Sequence, residues 1–308
     1  MTNIKRQESS SIGFLYGIAA YTLWGFLPLY WKALDSVAPL EILAHRIFWS
    51  FIFVMGILYF QKNLNRFKEV FSSKSNIIGL IYATVFISIN WGVYIWSVNT
   101  GHIVEASMGY YINPLIVILL GVIVLKEKLG LYQIISLIMA TIGVAIITIR
   151  YGQIPWNSLT LALSFALYGL MKKRIEVGST VGLALETALL TPLTLAYILF
   201  RQFSGIGAIG NLSITNTLIL FGSGAATALP LLFFAKGTRR IPLSSMGFLQ
   251  YIAPTISLML GIFVFKEEFT QTHLISFGFI WVGLLIFSIS QLRGIRYRKY
   301  RAAQSRQK

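Results

Sequence analysis

The chain has no cysteine among its 308 residues, which removes disulfides, thiolate nucleophiles and thiolate metal ligands together. Charge is scarce as well: only 10 residues are acidic, and charged residues of both signs make up 12%. A soluble domain needs more charge than that to cover its surface, so an ordinary soluble fold is excluded. Motifs are missing too. No G-x-x-x-x-G-K-[ST] loop is present, which argues against direct ATP coupling within this chain. The three histidines, His45, His102 and His273, stand far apart without H-E-x-x-H spacing, and no G-x-S-x-G occurs. Neither an intramembrane metalloprotease nor a serine hydrolase has support. We expect no metal, no cofactor and no enzymatic activity.

What the chain does have is apolar length. Hydrophobic residues make up 56% and mean hydropathy is +0.71. Ten apolar runs cover 12–33, 39–60, 76–98, 103–125, 130–149, 155–171, 180–200, 212–235, 243–265 and 271–291. At about 1.5 Å per residue, each is long enough to cross, or nearly cross, a hydrocarbon core of roughly 30 Å. Backbone groups inside a bilayer must be satisfied internally, and the runs are continuously apolar rather than alternating. We therefore expect an all-α polytopic membrane protein. The N-terminal stretch, basic and then apolar, is superficially signal-like but has no small-residue cleavage pattern, so we assign it to the first span.

The net charge of +16 would suggest nucleic acid in a soluble protein. Here its distribution carries the meaning. If the ten runs alternate across the membrane, 21 Lys and Arg fall on one face and four on the other, Arg46 lying inside a span. Both termini are then expected in the cytoplasm, and nucleic-acid binding is not. The basic tail, 292–308, would touch anionic lipid headgroups. In NLNRFKEVFSSK, Leu64, Phe67 and Phe71 are helically spaced; the segment is either a helix on the membrane surface or a plain solvated loop.

The chain also repeats itself. At an offset of 140, Pro114, Gly121, Lys126 and Glu127 fall on Pro254, Gly261, Lys266 and Glu267. At 138, Ser107, Met108 and Gly109 fall on Ser245, Met246 and Gly247, so the second copy has two extra residues before its proline. Leu40-Glu41 matches Leu185-Glu186 more weakly. The repeat unit holds five spans, an odd number, so the second copy must enter the membrane from the opposite face. This predicts two inverted five-helix halves, 12–149 and 155–291, an arrangement typical of secondary transporters.

Several stretches resemble a known family. YTLWGFLPLYWK with APLEILAHRIFWS, NWGVYIWSVNTGHIVEASMGYYINPL, and the two helices that end in Lys-Glu are similar to the drug/metabolite transporter superfamily, with two EamA domains, and within it to RarD-like permeases. The resemblance covers roughly 12–291. It implies a ten-helix carrier of the bacterial cytoplasmic membrane that moves small metabolites or drugs, commonly outward. A non-transporting sensor or scaffold subunit with the same fold is the alternative.

Polar groups at membrane depth are the candidates for that work. Glu41 and His45 share a face of the second span by four-residue spacing, with Arg46 beside them; Arg46 could bind a carboxylate while His45 or Glu41 carries a proton. Asn90, Tyr94 and Asn113 offer amide and phenol groups among aromatic rings, which suits an organic solute. Tyr168, Glu186, Gln250 and Tyr251 are their counterparts in the second half. Pro114 and Pro254 are candidate kinks or gating hinges. Oligomeric state and substrate identity are not legible.

Overall fold

The computed structural model describes residues 3–65, 70, 73–99, 103–152, 155–266 and 271–304. Phe67 and Phe71, the Glu267 that ends the second repeat, and the side chains of the basic tail lie outside the described residues. Among the described residues all regular structure is helical: α1 (Asn3–Lys32), α2 (Pro39–Phe60), α3 (Lys74–Asn99), α4 (Ile103–Ile123), α5 (Leu131–Tyr151), α6 (Trp156–Arg174), α7 (Ser179–Phe203), α8 (Ile214–Thr238), α9 (Leu243–Gln250), α10 (Ile252–Phe263) and α11 (Gln271–Gln304).

Local chemistry sets many of the ends. Pro39 opens α2 at a position whose N–H has no helical partner anyway. Ser213 caps α8 by accepting from the Asn216 amide at 3.1 Å. Gly152 closes α5 in the left-handed region at φ 77°. The turns after α4 and α10 both use a left-handed lysine, Lys126 at φ 54° and Lys266 at φ 58°. A lysine there costs about 1 kcal/mol or more relative to glycine, so other contacts must hold each turn.

Among the described residues, eight helical segments are long and apolar enough to cross a membrane, with α9 and α10 counting as one span from Leu243 to Phe263. The ten expected spans fit. In α4, which runs Ile103–Ile123, the apolar stretch among the described residues is Met108–Ile123. Helix α6 is not among the eight; it carries Asn157, Ser158, Thr160, Ser164 and a terminal Lys-Lys-Arg. Its surroundings explain this: α3 and α4 cover it, and Leu161, Ala162, Ala166 and Tyr168 are buried within the protein.

Helix α1 packs on α8 and α3 on α6; α4 packs on α6 and α1 on α10; α4 meets α9, and α2 lies against both α7 and α8. Helices α5 and α11 pair mainly with each other. That pair meets through two reciprocal approaches: a Cβ on Gly143 would lie 2.5 Å from the Ser276 carbonyl, and one on Gly283 2.9 Å from the Ser136 carbonyl. The α2–α8 crossing is closer still, since a Cβ on Gly224 would sit 2.2 Å from the Trp49 backbone. Only glycine allows such approaches.

Helix α4 runs unbroken through Pro114, whereas its counterpart breaks at Tyr251 into α9 and α10. Pro254 has no N–H for the carbonyl four residues back, that of Gln250. The two extra residues lie in the same interval. Left inside a continuous helix they would rotate Ser245–Gly247 by about 200° relative to the proline, and the break gives that rotation somewhere to go.

Candidate functional site

A cavity of about 1210 Å³ occupies the middle of the bundle. It is lined by the C-terminal halves of α1 and α3, the N-terminal halves of α2, α4 and α6, the middle of α8, the end of α9, and α10. It reaches the membrane face where α1 and α5 end and α2 and α11 begin, at a rim that includes Trp31, Pro39, Arg150 and Thr272. Helix α7 contributes no lining residue.

Five sequence-predicted residues line this one cavity: Arg46, Asn90, Tyr94, Asn113 and Gln250, with Pro254 beside them. Arg46 lies seven residues into α2, about 10 Å below the helix start. Its Nε donates to Thr227 Oγ1 of α8 at 3.0 Å. The guanidinium lies 4.6 Å from the Trp31 ring centre and 5.8 Å from that of Trp91, distances at which a cation and an aromatic face attract. No carboxylate forms an ion pair with Arg46 among the described residues, and none of the described lining residues is acidic.

The amides are held in turn. Asn90 Nδ2 donates to the Leu161 carbonyl at 2.8 Å and to Ser164 Oγ at 3.2 Å; Asn113 Nδ2 donates to the adjacent Ala162 carbonyl at 2.8 Å. Two helices thus anchor on neighbouring carbonyls of α6. Gln250 Nε2 donates to Asn113 Oδ1. Tyr94 meets Tyr110 edge-on, centroids 6.4 Å apart. Trp24 and Phe165 also face the space.

The remaining candidates lie elsewhere. Glu41 faces α7 and the segment after it, accepting from Arg201 Nη2 at 3.0 Å and the Ala208 amide at 2.6 Å. His45 Nδ1 accepts from Trp49 Nε1 at 3.2 Å, and its buried Nε2 has no partner among the described residues. His45 is one residue and Glu41 five residues from Arg46, turns of about 100° and 140° along the helix, which separates these two from it. Glu186 pairs with Lys172 at 2.6 Å, both side chains nearly fully buried, and accepts from Tyr168 at 3.2 Å. Tyr251 is buried among Ile112, Ala140, Val144 and Ile280. Pro114 is buried within α4.

The opposite end of the bundle is closed by a seam that the sequence reading did not single out. Glu127, just after α4, accepts from the Leu243 amide at 2.7 Å, the Ser244 amide at 2.9 Å and the Ser244 hydroxyl at 2.7 Å. It thereby caps α9, where a carboxylate is favoured, and these bonds hold the left-handed turn at Lys126. Lys173 donates to the carbonyls of Thr238 at 3.0 Å and Ile241 at 2.6 Å. Burial pushes the Lys173 ammonium down from its ordinary value, and Glu127, 3.9 Å away, draws it back up. Arg239 donates to the Val177 carbonyl at 2.6 Å. Thr227 and Trp31 at Arg46 were also missed. A threonine in mid-span and a glutamate at both repeated helix ends were the available signals.

Comparison with known proteins places this geometry. The family model of the EamA-like transporter family matches residues 11–149. An uncharacterized transporter, YojE, of Bacillus subtilis (strain 168) is 47% identical over 93% of this chain and 97% of its own. Protein RarD of Streptomyces exfoliatus is 39% identical over 97% of this chain and 95% of its own. A solved crystal structure, 18% identical, superposes with a TM-score of 0.70 over 91% of this chain and 97% of that one, and so shares the fold. With its membrane-spanning helices and these relatives, the chain belongs to the EamA-like transporter family, as a multi-pass RarD-like protein of the cell membrane.

Proposed function

We propose that the chain is a secondary transporter that exports a small organic metabolite or drug across the cytoplasmic membrane by alternating access. The observation that carries this is the large cavity, open toward one face and sealed at the other by Glu127, Lys173 and Arg239. In this reading the halves 12–149 and 155–291 are inverted repeats. The reciprocal contacts of Gly143 with Ser276 and Gly283 with Ser136 support it, because both pairs are related by the offset of 140 read from the repeat. The two left-handed lysines, Lys126 and Lys266, share that offset. With 21 basic residues assigned to the cytoplasm, the termini are cytoplasmic and the cavity opens outward. A proton is the proposed coupling ion, since His45 and Glu186 are buried titratable groups outside the cavity.

The test is flux in proteoliposomes under an imposed pH gradient, with amino acids, aromatic carboxylates and amphenicols as cargo. Solute-dependent proton movement is expected. The chain lacks native cysteine, so a crosslink between two cysteines introduced on either side of the sealed end, away from Glu127 and its partners, should abolish flux, with recovery on reduction. Absence of flux for the whole panel would instead favour a sensor or scaffold.

A further inference from the structure

Resting on the carrier reading, we infer that the cargo is a small organic carboxylate with a planar apolar body and a hydrogen-bond donor near the carboxylate, recognised by Arg46 and by Gln250 Oε1. A guanidinium stays charged in a protein, and an unpaired cation at membrane depth is expensive. Arg46 is in that position, with no carboxylate paired to it among the described residues. Thr227 takes only Nε and the tryptophans lie against the guanidinium. Among the described residues the two terminal nitrogens have no hydrogen-bond partner, which leaves their in-plane donors as the fork that matches a carboxylate bidentately. A neutral guest would leave that charge unanswered.

Gln250 supplies a second, independent constraint. Asn113 gives its Nδ2 to the Ala162 carbonyl, so its Oδ1 must face Gln250. Only the Gln250 Nε2 can serve that acceptor, which leaves Oε1 buried without a partner on a side chain only 7% exposed. A buried acceptor left empty costs free energy that a donor on the cargo would recover. An ammonium or N–H group on the guest answers it. The cavity walls also carry rings, among them Trp24, Trp91, Tyr110 and Phe165, which favour a flat apolar body.

Calorimetric titration of the protein in nanodiscs with phenylacetate, phenylacetamide and phenylglycine tests this, because the three share a ring and differ only in charge and donor. Phenylacetate should bind roughly ten- to hundredfold more tightly than phenylacetamide, the range of a charge-assisted pair. Phenylglycine should bind more tightly still. Arg46→Gln should erase the preference for the carboxylate, and Arg46→Lys, which keeps the charge without the fork, should retain part of it. Gln250→Leu should remove only the advantage of phenylglycine. Equal binding of phenylacetate and phenylacetamide, a preference that survives Arg46→Gln, or no binding by any of the three at millimolar concentration would overturn the inference. If Arg46→Gln does not fold, the wild-type comparison and Arg46→Lys decide. Binding that discriminates as expected without flux would refute the carrier and leave this inference standing. Flux of phenylacetamide but not phenylacetate would do the reverse.

Discussion

The two ends of the bundle use the same kind of bond in different places. At the open end, Glu41 binds Arg201 and the Ala208 amide, and Tyr30 donates to the Ile219 carbonyl. Leu34, Val37, Ala208 and Leu220 cluster beside them. All of these join α1, α2, α7 and α8, which form one flank. At the sealed end, Glu127 links the turn after α4 to α9, while Lys173 links α6 to the segment after α8. There the bonds cross the mouth. What separates an open face from a closed one is therefore which helices a carboxylate connects, not how many polar groups are present.

The largest expected effect is at the Lys172–Glu186 pair beneath that seam. Both side chains are about 4% exposed or less, and removing one partner of a buried pair costs about 3–5 kcal/mol because the other charge is left unanswered. Glu186→Gln should lower the thermal unfolding midpoint in detergent sharply. The double change Lys172→Met with Glu186→Leu should recover most of the loss. An unshifted midpoint in Glu186→Gln would mean that water reaches the pair and that the sealed end is looser than its distances imply.

Glu127 sharpens the comparison at smaller cost. Its bonds to two backbone amides and a hydroxyl are charge-assisted, worth about 1.5–3 kcal/mol apiece before solvent reclaims part. Lys173 adds little at 3.9 Å and partial exposure. Glu127→Gln should shift the sealed state by about 2 kcal/mol, roughly a thirtyfold change in the ratio of sealed to open molecules. Spin labels on Lys128 and Ser179, read by pulsed dipolar spectroscopy, would report a second, longer distance population. Glu41→Gln should leave that distance unchanged.

Much of this architecture was legible beforehand because the bilayer imposes it. Apolar length gave the spans, and the scarcity of polar groups at depth picked out Arg46, Asn90, Asn113 and Gln250 as unusual. The facing of α2 was not legible. A span that is apolar on all sides has no hydrophobic stripe to tell lipid from cavity, so Glu41, His45 and Arg46 read as one cluster although their spacing turns Arg46 away from the other two. Thr227, which holds Arg46, is 181 residues away in sequence, and only the fold brings such pairs together. Helix α6 reads as a weak span for the opposite reason: it is surrounded by protein, so composition underrates it.

The smallest expected effect compares the two prolines. Each denies a donor to the carbonyl four residues earlier, Tyr110 in α4 and Gln250 at the end of α9, and both of those residues line the cavity. Yet α4 is continuous and α9–α10 is not. If Pro254 causes the break, Pro254→Ala returns a donor to the Gln250 carbonyl, worth about 0.5–1.5 kcal/mol, and should raise the unfolding midpoint slightly while slowing exchange between faces. Pro114→Ala should raise the midpoint less, because α4 has already absorbed its proline without breaking. If instead the two extra residues force the break, Pro254→Ala changes neither quantity, and deleting two residues between Gly247 and Pro254 closes it. Equal effects from both prolines would sink the asymmetry altogether, since the missing donor would then matter equally in a broken helix and in an intact one.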